Sequence, residues 1–133
     1  MKKRMLKKLG IFSTAAFALA LMGQVDYAQS AIDVNVRLPR TGSVNTHGVM
    51  KTNKDNDADF NVTRMGWGGS GIDWWLMYKG IRCTGVGNFN KTGFYKVYYN
   101  IDGRLYQGSV LYATIKTDAN TWHACDIEGQ IYP

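Results

Sequence analysis

Ile32-Asp-Val-Asn-Val-Arg-Leu38 is the stretch that decides the fold. Ile32, Val34, Val36 and Leu38 fall on one side of an extended chain, and Asp33, Asn35 and Arg37 on the other. That strict period of two is the mark of a half-buried β-strand. Pro39 to Gly42 ends the run. No segment of useful length after residue 30 repeats with a helical period. Short runs rich in Val, Ile, Thr, Tyr and Trp follow instead, separated by Gly, Asn and Asp, as in an antiparallel β protein.

Moving outward from that strand, a weaker run covers Val44–Lys51 and a third covers Asp59–Met65, with Phe60 and Val62 facing inward. Ile72–Lys79 is the most apolar run after residue 30. Its alternation puts Ile72, Trp74, Leu76 and Tyr78 on one face, and Asp73, Trp75, Met77 and Lys79 on the other. Ile81–Val86 can pair with it across Lys79-Gly80. Phe94–Asn100 is an aromatic strand, and Asn100-Ile-Asp-Gly-Arg104 predicts a hairpin turn, since Asp-Gly suits positive φ. Arg104–Gln107 then starts a return strand that Ser109–Lys116 continues, with a bulge at Gly108. Thr121–Ile131 is the last strand. Seven to eight strands in about 100 residues predict an all-β fold, a single antiparallel β-sandwich.

The N-terminus reads differently. Met1-Lys-Lys-Arg-Met-Leu-Lys-Lys8 carries five positive charges and no acid, and the apolar run Ile11–Met22 is too short to cross a bilayer. Small residues follow at Ala28 and Ser30. This is the pattern of a secretory signal peptide, residues 1–30, ahead of a secreted, extracellular domain, residues 31–133. Removal of residues 1–30 takes away five of sixteen basic residues and one of ten acidic ones, so the net charge falls from +6 to +2. The remaining basic residues are scattered from Arg37 to Lys116, which argues against a nucleic-acid partner. No transmembrane segment is expected in the mature chain.

A domain of about 100 residues is short of core. Cys83 and Cys125 are the only cysteines, and in an exported chain an even count suggests a disulfide.

Catalytic patterns are sparse. His47 and His123 are the only histidines and Glu128 the only glutamate. A Cys–His site at Cys125 or Cys83 with His123 lacks a thiolate if the cysteines are bridged, and His123 and Asp126 point to opposite faces of a strand. No nucleophile elbow, zinc-protease motif, P-loop or dinucleotide fingerprint occurs. Asp55, Asp57 and Asp59 alternate as ligands of a hard cation such as Ca²⁺ can, but residues 60 and 66 are Phe and Gly where an EF-hand needs Gly and Glu. The run reads as a solvated loop, with no metal or cofactor expected.

The aromatic content is the richest signal. Trp74 and Trp75 cannot both face one core: either one lies on an outer face or rim, or it is covered by a neighbouring loop or by burial of both faces of a central strand. On the first of these readings an aromatic binding surface is expected from Trp67, Trp75, Met77 and Lys79, with Arg82 nearby.

Taken together, Ile32–Pro39, Asn45-Thr46, Lys51-Thr52-Asn53, the Trp-bearing Asp73–Leu76, Gly108-Ser-Val-Leu-Tyr112 and Asp126-Ile-Glu-Gly129 resemble a family of small exported β-rich proteins of Gram-positive bacteria. The resemblance implies a β-sandwich and a bacteriocin-like role, and carries over no functional residue. The expected function is that of a secreted, non-enzymatic binding or interaction protein. Its partner would be a cell-surface or envelope component, or another protein. Two alternatives stand beside it: a small secreted hydrolase using His123 with Asp126 or Glu128, and an extracellular structural subunit that self-assembles through strand edges.

Overall fold

The computed structural model describes residues 30–67 and 69–133. The expected signal peptide lies outside them except for Ser30. The described chain forms two antiparallel sheets packed face to face, as the alternating runs predict. One sheet is ordered β1 (Ile32–Leu38), β10 (Cys125–Tyr132), β4 (Asp57–Met65), β8 (Gly93–Tyr98). The other has β9 (Val110–Thr117) and β5 (Ile72–Tyr78) at its centre. On β9 lie the short β2 (Ser43–Asn45) and β3 (Val49–Met50); on β5 lie β6 (Ile81–Arg82) and β7 (Gly87–Phe89). Each short pair occupies one strand position, so the ten segments fill eight positions, four over four.

The alternation read in β1 is the alternation observed: Ile32, Val34 and Leu38 are buried and Asp33, Asn35 and Arg37 exposed. Ala58, Phe60 and Val62 point inward from β4, as do Ile72, Trp74 and Leu76 from β5. Phe60 holds the centre, edge-on to Trp74 at 5.2 Å and to Phe89 at 5.3 Å. Edge-to-face packing of this kind adds to the burial term. Gly87 faces Trp74 across the β5–β7 pair, and a Cβ there would come within 2.4 Å of the indole nitrogen.

Two expectations fail for physical reasons. Residues 100–107 are not a hairpin. The segment crosses from one sheet to the other through a 3₁₀ turn, Gly103–Tyr106, capped by the Asp102 carboxylate accepting from the Arg104 amide. Gly103 is needed because the Asp55 carbonyl sits where a Cβ would go, at 2.0 Å. β8 consequently pairs with β4, and β9 pairs with β5.

The disulfide is the second. Cys83 and Cys125 are both buried and free. Cys83 lies beside Leu76 and Asn100, at the end of the sandwich where β4 begins. Cys125 lies at the other end, where β4 finishes and Gly66 donates to the Asp126 carbonyl. Nine residues of β4 separate those ends. At about 3.3 Å per residue that is roughly 25–30 Å, whereas a disulfide needs Cα atoms within about 7 Å.

Candidate functional site

The solvent side of the β9–β5 sheet carries a row of apolar side chains. Cross-strand register defines it row by row, because directly opposed residues share a face. Val110 is opposite Met50. Met77 is opposite Tyr112 on one side and Arg82 on the other. Trp75 is opposite Thr114, which is opposite Asn45. Asp73 is opposite Lys116 and Asn88. Met50, Val110, Tyr112, Met77 and Trp75 thus form a continuous stripe that runs from mid-sheet toward the Lys79-Gly80 turn. Met50 and Val110 are half exposed; Tyr112, Met77 and Trp75 are partly covered.

Polar groups frame the stripe. The Thr114 hydroxyl donates to Asn45 Oδ1 at 2.7 Å, and Asn88 donates to Asp73 Oδ1 at 2.8 Å. Arg82 and Lys79 stand at the upper end, and neither joins an ion pair among the described residues. Lys79 lies 5.3 Å from the Tyr78 ring centroid, a cation–π contact.

Trp67 does not belong to this surface. It stacks on His123 at 4.0 Å, beside β10's first residues, at the end of β5 opposite to Met77. Sequence reasoning found Trp75 and Met77 but passed over Tyr112, Val110 and Met50. The alternation of Val110, Tyr112 and Thr114 within β9 carries that signal; the pairing of β9 with β5 is what makes it legible.

The other chemical groups are engaged elsewhere. Asp57 and Asp59 lie on the outer face of β4 and share Lys96, at 3.2 and 3.5 Å. Asp55 lies outside the strand, in the loop before β4, and the described residues contain no cluster of three potential metal ligands. The acids of the hydrolase alternative are likewise held: Asp126 by Arg37 at 2.9 Å, Glu128 by Arg64 at 2.6 Å. His123 Nδ1 instead meets Ser70 Oγ at 3.3 Å, with its ring against Trp67. A serine–imidazole pair needs a third group to orient the base, and among the described residues no carboxylate hydrogen-bonds to this imidazole. His47 is exposed on the loop between β2 and β3.

Two buried groups complete the inventory. Burial pushes the Cys83 thiol up to about 11, so at neutral pH it is a protonated, weak nucleophile. Lys51 is fully enclosed, its ammonium bonded to Asn53 Oδ1 and lying over the Tyr99 ring at 4.9 Å. Desolvation lowers its pKa, against the opposing pull of Asp55 and Asp57.

Comparison with known proteins finds no matching family model, no similar curated protein and no similar solved structure. The reading of the site therefore rests on its own geometry.

Proposed function

We propose that this chain is a non-enzymatic binding protein that acts outside the cytoplasm in a bacteriocin-like manner, through a cell-surface or envelope component or another protein. The observation that carries the reading is the stripe Met50–Val110–Tyr112–Met77–Trp75. Polar residues are the usual occupants of an outer sheet face, and cross-strand contacts there stabilise the fold only modestly, so five aligned large apolar side chains exceed what folding requires. Contiguous apolar patches with polar rims mark contact surfaces. Trp, Tyr and Met, with Arg at the margin, match the residues enriched at interface cores. The engagement of Asp126 and Glu128 by arginines supports binding over hydrolysis.

Cosedimentation of the chain with bacterial cell walls stripped of lipid, which offer no bilayer, tests the reading. Trp75→Ala and Tyr112→Ala are expected each to weaken binding by about tenfold or more, the range of a central interface aromatic, while both variants remain folded. Cell-wall binding untouched by either substitution, or hydrolase activity lost in His123→Ala, would overturn it.

A further inference from the structure

The stripe leads to one end of the sandwich, where a different surface begins. The β5–β6 hairpin turns through Lys79 and Gly80, both at positive φ (50° and 80°), and places Ile81 directly after the turn. Ile81 is 72% exposed. The crossing segment lies alongside. The Asn100 amide donates to the Cys83 carbonyl, and Tyr106 contacts both Tyr78 and Tyr99, with ring centroids 5.6 and 5.3 Å away. That segment carries Ile101, 52% exposed, and Leu105, 69% exposed. Three branched aliphatic side chains are thus presented to water, Ile81 at the start of β6 and the other two on the crossing segment. Side chains exposed to this degree leave half or more of their surface outside any core.

The charges around them sum to positive: Asp55, whose carbonyl abuts Gly103, acts on the buried Lys51 ammonium, and among the described residues the remaining unpaired charges there are cations. Lys79 and Arg82 flank Ile81. The acid within the crossing segment, Asp102, is neutralised by Arg104 at 2.6 Å. Three features select the occupant. The side chains are aliphatic, so they offer no planar face for stacking a sugar. They stand at or beside turns rather than lining a groove, so they offer no slot for a peptide. Cations without carboxylate partners border them, so the complementary surface is anionic. A bilayer with anionic headgroups meets all three conditions: aliphatic side chains enter the headgroup–acyl boundary while Lys and Arg remain among the headgroups.

We propose that Ile81, Ile101 and Leu105 form a membrane-contacting tip that inserts shallowly into anionic bilayers, oriented by Lys79 and Arg82. The aliphatic side chains of the tip are separate from the stripe around Trp75, and Lys79 and Arg82 border both. Trp75→Ala leaves insertion unchanged, and failure of the tip leaves the envelope-binding reading standing.

The test follows insertion at single sites of the full chain. Ile81→Cys and Leu105→Cys carry a nitroxide label, and Asn35→Cys, on the outer face of the other sheet, serves as control. The probes are vesicles of phosphatidylglycerol and phosphatidylcholine in equal parts, and vesicles of phosphatidylcholine alone. On the anionic vesicles the labels at 81 and 105 are expected to lose most of their access to a water-soluble relaxation agent, while the label at 35 keeps its access. Lys79→Gln with Arg82→Gln is expected to lower affinity for those vesicles about 30-fold, at the usual contribution of a basic residue near an anionic surface. Residues 1–30 are common to every variant, so they cannot produce these differences. Labels at 81 and 105 that stay water-accessible on bound chains would overturn the proposal. So would shielding of those labels without vesicles, accompanied by a doubled mass on light scattering, which would assign the tip to self-association. Unchanged thermal midpoints confirm that each variant is folded.

Discussion

Trp74 and Trp75 are adjacent in sequence and opposite in environment, which makes their replacement by alanine a sharp test of the sandwich. Trp74 is fully buried between Phe60 and Gly87. Burying a tryptophan removes roughly 200 Å² of apolar surface from water, worth about 5 kcal/mol at 25 cal per Å². The alanine keeps a small part of that, and the cavity left under Phe60 collapses only partly. Trp74→Ala should therefore cost about 3–5 kcal/mol, lowering the thermal midpoint by roughly 15–30 °C in a domain of this size. Trp75 lies on the solvent side, with Thr114 and Met77 as neighbours. Its truncation removes a cross-strand contact worth about 1 kcal/mol or less, a shift of roughly 4–8 °C. Thermal unfolding followed by far-UV circular dichroism, with urea melts for the free energies, reads both variants. Equal destabilisation by the two substitutions would refute the assignment of Trp74 to the core and Trp75 to the outer face.

Three further outcomes follow from named contacts. Denaturation without reductant should release two titratable thiols per chain, and none should react rapidly in the native state, since both cysteines are buried; a single disulfide-linked pair by mass spectrometry would contradict the placement of the two cysteines at opposite ends. Lys51→Met should leave stability equal or raise it by about 1 kcal/mol at neutral pH, because it removes a buried charge. The folded pKa of Lys51 is lowered, so the charged form is disfavoured by folding and the penalty applies in full below that pKa. The advantage of Lys51→Met should shrink as pH rises through the lowered pKa toward 10.5; urea melts of both proteins across that window check the sign. Gly129→Ala should cost several kcal/mol, since a Cβ there lies 2.0 Å from the Asn61 carbonyl at the register shift between β10 and β4; a near-neutral result in the same melts would mean that the two strands are further apart.

Much of the fold is readable one strand at a time. The alternation of Ile32–Leu38, Phe60 with Val62, and Ile72–Tyr78 reports a local property: successive side chains in a strand face opposite ways, and only one face can leave water. What fails is what depends on distant partners. Asp102-Gly103 looks like a hairpin turn, yet Gly103 is there to admit the Asp55 carbonyl, a contact 48 positions back in the chain. Cys83 and Cys125 look like a pair by their number and by the compartment expected for the chain, but number says nothing about which end of the sandwich each one occupies.

The candidate site divides along the same line. The sequence by itself determined that two neighbouring tryptophans face opposite ways, and it offers no recognisable catalytic pattern among the acidic and histidine residues. It could not determine what Trp75 stands beside. Tyr112, Val110 and Met50 join it only because β9 pairs with β5 in one register, and Trp67 is set apart because its ring stacks on His123. Alternation is set by backbone geometry within a strand, so it is written locally. A surface is a set of residues from several strands, and its membership is decided by pairing and register, which exist only in the folded chain.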